Sequence, residues 1–158
     1  MKKLALLAMT VVMSTSALAL EIGVVNSQEL FYKYSKTKLI DEQLQKEGAT
    51  LDNTLKQKQV ELKKLEIELN SKGDKATEKD KKMYTDKVKM LEKFVKDSKN
   101  KMAKERNEKV AEVENTMNKA ISKIAKNNKL DYILEAGAVK FGGKNVTEAV
   151  LAEMEKTK

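Results

Sequence analysis

Leucine recurs along one stretch of this chain at alternating intervals of four and three residues. The positions are Leu44, Gly48, Leu51, Leu55, Lys58, Leu62, Leu65 and Leu69, a spacing that draws one apolar stripe down a helix and seals it against a second helix. No proline occurs in the 158 residues, so nothing forces a helix here to kink. A second stripe runs through Tyr84, Val88, Leu91, Val95, Ser98 and Met102. After a stutter near Arg106 it continues through Val110, Val113, Met117, Ala120 and Ile124. Between the stripes, Gly73 suits the left-handed end of one helix, and Thr77 with Asp80 suits the start of the next. The pattern predicts an antiparallel, coiled-coil-like hairpin over residues 27–127, with its tip near 71–77. At 1.5 Å per residue each limb would extend about 65–75 Å. Asn127 and Asn128 mark its end.

The flanks have a different period. Residues 21–26 (EIGVVN) read as a strand, and Asn26 with Glu29 has the spacing of a capping box that opens the long helix. Beyond the hairpin, residues 130–135 (LDYILE) and 138–141 (AVKF) read as strands around a tight turn at Ala136-Gly137. Residues 142–145 form a loop, and Thr147 caps a short last helix through Met154. The fold class is therefore α+β: a long helical hairpin projecting from a small β-sheet body built from residues 20–26 and 128–158. So small a sheet leaves edges and one face open. Self-association through Ile22, Val24, Tyr132, Leu134, Val139 and Phe141 would cover them.

Residues 1–19 are set apart from this fold. Lys2 and Lys3 precede an apolar run of about ten residues and the triplet Ala17-Leu18-Ala19, the three parts of a secretory signal peptide. Cleavage is predicted after Ala19, and the apolar run is shorter than the roughly 20 residues a membrane span needs. Loss of Lys2 and Lys3 takes the 32 basic residues to 30, against 24 acidic ones, for a charge of +6.

Chemistry is constrained by what the chain lacks. It has neither Cys nor His, which removes the usual zinc ligands, thiol redox couples and His-assisted nucleophiles. Carboxylates such as Glu66 and Glu68 alternate with Lys on exposed faces, with no pocket to separate their pKa values. Gly142-Gly143-Lys144 lacks the spacing of a phosphate loop and reads as a turn, and Asn145-Val146-Thr147 reads as a helix start rather than a glycosylation site. No catalytic residue, metal or cofactor is expected. Arg106 is the only arginine and aromatic residues make up 4% of the chain, a poor basis for binding nucleic acid.

A binding function fits better. Met102 and Met117 fill the second stripe, whereas Val60, Ile67, Met90 and Phe94 lie off the stripes and are candidate contacts for apolar partners. Lys72, Lys75, Lys79, Lys81 and Lys82 gather at the tip, suited to diffuse capture of acidic protein or an anionic membrane surface. A structural coiled-coil spacer of the cell envelope is the alternative. Gly48, Lys58 and Ser98 interrupt the stripes and count against a sealed rod.

The entry Ile22-Gly23-Val24-Val25-Asn26 with Leu30-Phe31, the helical hairpin, and the run from Leu130 to Val139 together resemble the Skp/OmpH family of periplasmic chaperones. The two ends are the more specific part. The resemblance implies a homotrimer whose strands form a central body and whose hairpins surround a cavity. It further implies that unfolded outer-membrane proteins are held there without ATP until they are inserted. The family's lipopolysaccharide site rests on clustered basic residues that include Arg, and a lone Arg106 does not reproduce it.

Overall fold

The computed structural model describes residues 20–157, so the signal peptide predicted over 1–19 lies outside the described residues. The chain runs β1 (Ile22–Val25), α1 (Ser27–Lys33), α2 (Ser35–Lys72), α3 (Glu78–Asn128), β2 (Tyr132–Glu135), β3 (Lys144–Asn145) and α4 (Thr147–Met154). Helices α2 and α3 form the hairpin. Their 38 and 51 residues correspond to about 57 and about 77 Å.

Both stripes lie where the spacing places them. Every position from Leu44 to Leu69 in the first, and from Tyr84 to Val110 in the second, is half-buried. Val113, Met117, Ala120 and Ile124 are fully buried. At the stutter, Glu105, Lys109 and Val110 share the half-buried line, the local unwinding that an extra residue requires. The tip also follows the sequence. Gly73 (φ +48°) ends α2, a short turn spans Gly73–Lys75, and Thr77 and Asp80 complete a reciprocal capping box at the start of α3. Lys129, in the left-handed conformation at φ +54°, ends α3 after Asn128.

The predicted single first helix is in fact two. Asn26 does cap α1, its Oδ1 accepting from the Glu29 N–H at 2.9 Å, but Tyr34 (φ −61°, ψ 125°) interrupts the helix after Lys33. The break is held by distant groups. Tyr34 is buried and its hydroxyl donates to the Thr157 carbonyl, while the Ser35 N–H and hydroxyl both donate to the Glu155 carboxylate. A carboxylate 120 residues away thus caps α2, at the end where the helix dipole favours an anion. Glu135 does the same for α1 through the Ser27 N–H and hydroxyl.

The C-terminal strands also depart from expectation. Ala136–Ala138 is a single helical turn, not a hairpin turn, and residues 138–141, including Val139 and Phe141, lie outside the sheet. The third strand is Lys144–Asn145, in the segment read as a loop. The sheet order is β2-β1-β3, with both neighbours parallel to β1 and with Ile22 opposite Tyr132 and Val24 opposite Leu134. Parallel pairing needs crossovers, which a tight hairpin cannot supply. The return from β2 to β3 turns on Gly142 and Gly143, whose φ values of +86° and +85° favour glycine, and a Cβ on Gly143 would lie 2.5 Å from the Val24 side chain. Thr147 does not cap α4. Its hydroxyl accepts from the Asn26 N–H, and its own N–H is taken by Asn145 Oδ1.

The core lies where the sheet meets the root of the hairpin. Leu30, Tyr34, Ile40, Val113, Met117, Val150 and Met154 are buried there among others, each contributing roughly 1.5–3 kcal/mol. No residue from 41 to 112 is fully buried, so the limb beyond the root should open at low cost. Hydrogen exchange by mass spectrometry should find amides of residues 44–110 exchanging well before those of 113–124 and 147–154. Leu30→Ala should lower stability by about 2–5 kcal/mol, and Glu155→Ala by about 0.5–2 kcal/mol, read from urea unfolding midpoints.

Candidate functional site

In-register parallel strands place paired side chains on the same side of a sheet. Gly23 and Val25 of β1 are buried towards the helices. Ile22 and Val24 therefore face the other way, beside Tyr132 and Leu134 of β2. Four of the six residues expected to mediate association are thus gathered on one apolar sheet face, on which Tyr132 and Leu134 are exposed and Ile22 and Val24 half-buried. Val139 is half-buried in the connection after β2. Phe141, in the same connection, is 99% exposed, a large cost in water for a phenyl ring.

The predicted partner contacts on the limb do not form one face. Val60 and Ile67, one heptad apart, are exposed on the back of α2, away from the seam. Met90 is exposed on α3 and is accompanied one heptad earlier by Met83, which sequence reasoning passed over. Phe94 is half-buried on the flank of the seam with the Lys58 ammonium 5.4 Å from its ring centroid. Lys58, a polar interruption when read as a stripe residue, thus covers an aromatic face.

Charge is unevenly spread. Residues 56–104 hold 16 lysines against 9 acidic residues, a net of +7, while the rest of residues 20–158 nets −1. At the tip, Lys72 pairs with Asp80 at 2.7 Å and Lys81 with Glu78 at 2.8 Å. Lys75, Lys79 and Lys82 make no ion pair among the described residues. Near the root, Lys101 bridges to Glu47, and the proximity of the Glu47 and Glu105 carboxyls raises the affinity of Glu105 for its proton while lowering that of Glu47. An open groove of about 680 Å³ lies at the stutter, lined by Asp41, Leu44, Gln45, Met102 and Arg106 among others. The stutter signalled the place, but the sequence alone gave no reason to expect a recess. Among the described residues no group of His, Cys, Asp or Glu is arranged to hold a metal, and no helix is long and apolar enough to cross a membrane.

The tip has a pH dependence of known sign. The Lys72 ammonium and the Thr77 hydroxyl and N–H hold Asp80 well below the usual carboxylate range. The cap is therefore at full strength above the unfolded pKa of about 4 and is lost as pH falls further, towards the depressed folded value. Amide exchange at the first turn of α3, corrected for intrinsic rates, should be flat from pH 7 to about 4.5 and accelerate below it. Asp80→Asn should abolish the added loss.

Comparison with known proteins agrees with this architecture. No curated protein sequence matches the chain. Among solved structures, the OmpH-like protein of Caulobacter crescentus CB15, named as a candidate outer membrane chaperone, superposes with a TM-score of 0.66 at 14% identity, covering 88% of this chain and 86% of that one. The family model described as outer membrane protein (OmpH-like) matches residues 21–154. Strand, two-helix limb and closing helix all fall within that match, and the chain belongs to the OmpH-like family.

Proposed function

We propose that this protein is an ATP-independent periplasmic holdase, which encloses unfolded outer-membrane proteins between flexible helical limbs, prevents their aggregation and supports their delivery to the outer membrane. Family membership and the name of the Caulobacter relative support a chaperone role in that compartment, and the signal-peptide pattern read in the sequence of residues 1–19 is consistent with export. The observation that carries the reading is the pairing of an uncovered apolar sheet face with a long limb that has no fully buried side chain between residues 41 and 112.

The sheet face of Ile22, Val24, Tyr132 and Leu134, with Phe141 beside β2 in sequence, is the proposed contact between copies. Three copies would then direct three limbs around one space. Val60, Ile67, Met90 and Phe94 are the proposed apolar contacts for the client, and Lys72, Lys75, Lys79, Lys81 and Lys82 the proposed electrostatic capture. The same lysines are proposed to make peripheral contact with an anionic membrane or lipopolysaccharide. Each contact is weak, so a client stays mobile and leaves when a membrane offers deeper burial, since binding only shifts populations.

The test is aggregation of a urea-diluted outer-membrane porin, followed by light scattering at stoichiometric protein without nucleotide, beside native mass spectrometry of the same mixture. Suppression by a trimer carrying one client is expected, weakening as ionic strength rises. Unchanged aggregation would refute the holdase reading and leave a spacer role. Tyr132→Asp with Leu134→Asp should dissociate the assembly to monomers, while far-UV circular dichroism keeps its helical signal.

A further inference from the structure

The groove at the stutter has a chemical character of its own. Between Met102 and Val110 the half-buried line carries no apolar side chain: its positions are Glu105 and Lys109, and Arg106 beside them is exposed. The seam is left unfilled, with Leu44 and Met102 as an apolar floor and Gln45 and Asn107 among the lining. Arg106 and Asp41 form no ion pair or hydrogen bond among the described residues, although charged side chains near them are paired, Lys36 with Glu112 and Lys101 with Glu47. A smaller recess of about 50 Å³ adjoins the groove and shares Asp41, Leu44 and Arg106 with it, adding Lys109 and Thr37. Thr37 is 3% exposed, and its hydroxyl is the buried side-chain polar atom left without a hydrogen-bond partner among the described residues. Leaving such a group unpaired is costly, and a bound acceptor would recover that cost.

We infer that this double recess is a peptide-binding subsite, taking an extended segment in which a large apolar side chain stands next to a carboxylate. The apolar side chain rests on Leu44 and Met102, whose flexible thioether adapts to different shapes. The carboxylate lies between Arg106 and Lys109 and accepts from the Thr37 hydroxyl. Asp41, Gln45 and Asn107 supply both donors and acceptors along the groove, matching the alternating N–H and C=O groups of a peptide, which a simple fatty acid lacks. The subsite lies at the root of the limb, where the seam is anchored to the core, and so is a fixed point beside a compliant limb. The inference rests on the chaperone reading and adds a preferred client sequence to it.

The test titrates the full mature protein into a short fluorescein-labelled peptide bearing one Phe-Asp pair in a Gly/Ser/Ala background, read by anisotropy. Changing Phe to Ala or Asp to Asn in the peptide should each weaken binding about tenfold, the order expected for one charge-assisted hydrogen bond or one buried ring. These comparisons use unaltered protein, so folding does not confound them. Arg106→Gln should weaken the parent peptide about tenfold and Thr37→Val about threefold. Lys93→Gln removes the same charge from the distal limb and should change binding less than twofold. Equal binding of the three peptides, or equal effects of Arg106→Gln and Lys93→Gln, would overturn the subsite in favour of diffuse attraction. Dodecanoate competing as well as unlabelled peptide would overturn the peptide assignment. Failure of the chaperone reading is visible separately, as unaltered protein that does not slow porin aggregation.

Discussion

The structure depends on the pairing of β1 with β2. The two strands are parallel and in register although more than a hundred residues separate them, and parallel strands can be joined only by a crossover. In most α/β units that crossover is one helix packed on the sheet. Here it is a hairpin that leaves the body, turns at Gly73–Lys75 and returns. Closing so long a loop costs little more than closing a short one, and a stiff hairpin delivers its two ends to the same place. The limb and the body are therefore one topological unit: without the strand pairing the limb has no root, and without the limb the strands have no connection.

The root is held by ionic and polar ties as much as by apolar burial. Glu135 and Glu155 cap α1 and α2 from the far end of the sequence, and Glu153, though largely buried, is flanked by Lys123 and Lys156, which keep it ionised below the usual range. Such carboxylates place the N-termini of two helices to within a hydrogen bond. The distal limb has no comparable ties from the body, and its surface is dominated by lysine. Firm root, compliant limb and basic exterior are three consequences of one division of residues along the chain.

This division explains which parts of the fold could be read from sequence. Leu44 to Leu69, the Thr77–Asp80 cap and the Gly73 turn are set by neighbours within a few residues or by a regular period, and all three lie where the pattern placed them. The break at Tyr34 is set by Glu155 and Thr157, and no local signal marks it. The strand at Lys144–Asn145 is two residues long and exists because Val24 lies between it and β2; AVKF, with better strand composition, finds no partner. Four residues of the apolar sheet face were legible because alternation along β1 and β2 sets which side chains share a face, whichever direction the strands pair in. The recess at Arg106 was legible only as an irregularity, because its meaning depends on Thr37 and Asp41 of the opposite helix.

One feature of the limb bears on its mechanics. Glu47 meets Lys101 and Glu61 meets Lys87 along the same side of the hairpin. Sliding one helix past the other by a heptad in one direction would bring Glu61 to Asp80, and in the other direction Glu47 to Glu108, exchanging attraction for like-charge contact. Each pair is worth little, and both favour the present register, which the short turn at Gly73–Lys75 fixes at the tip. The limb behaves as a fishing rod does, compliant sideways and constant in length, so whatever it meets at its far end is met at a fixed radius from the body.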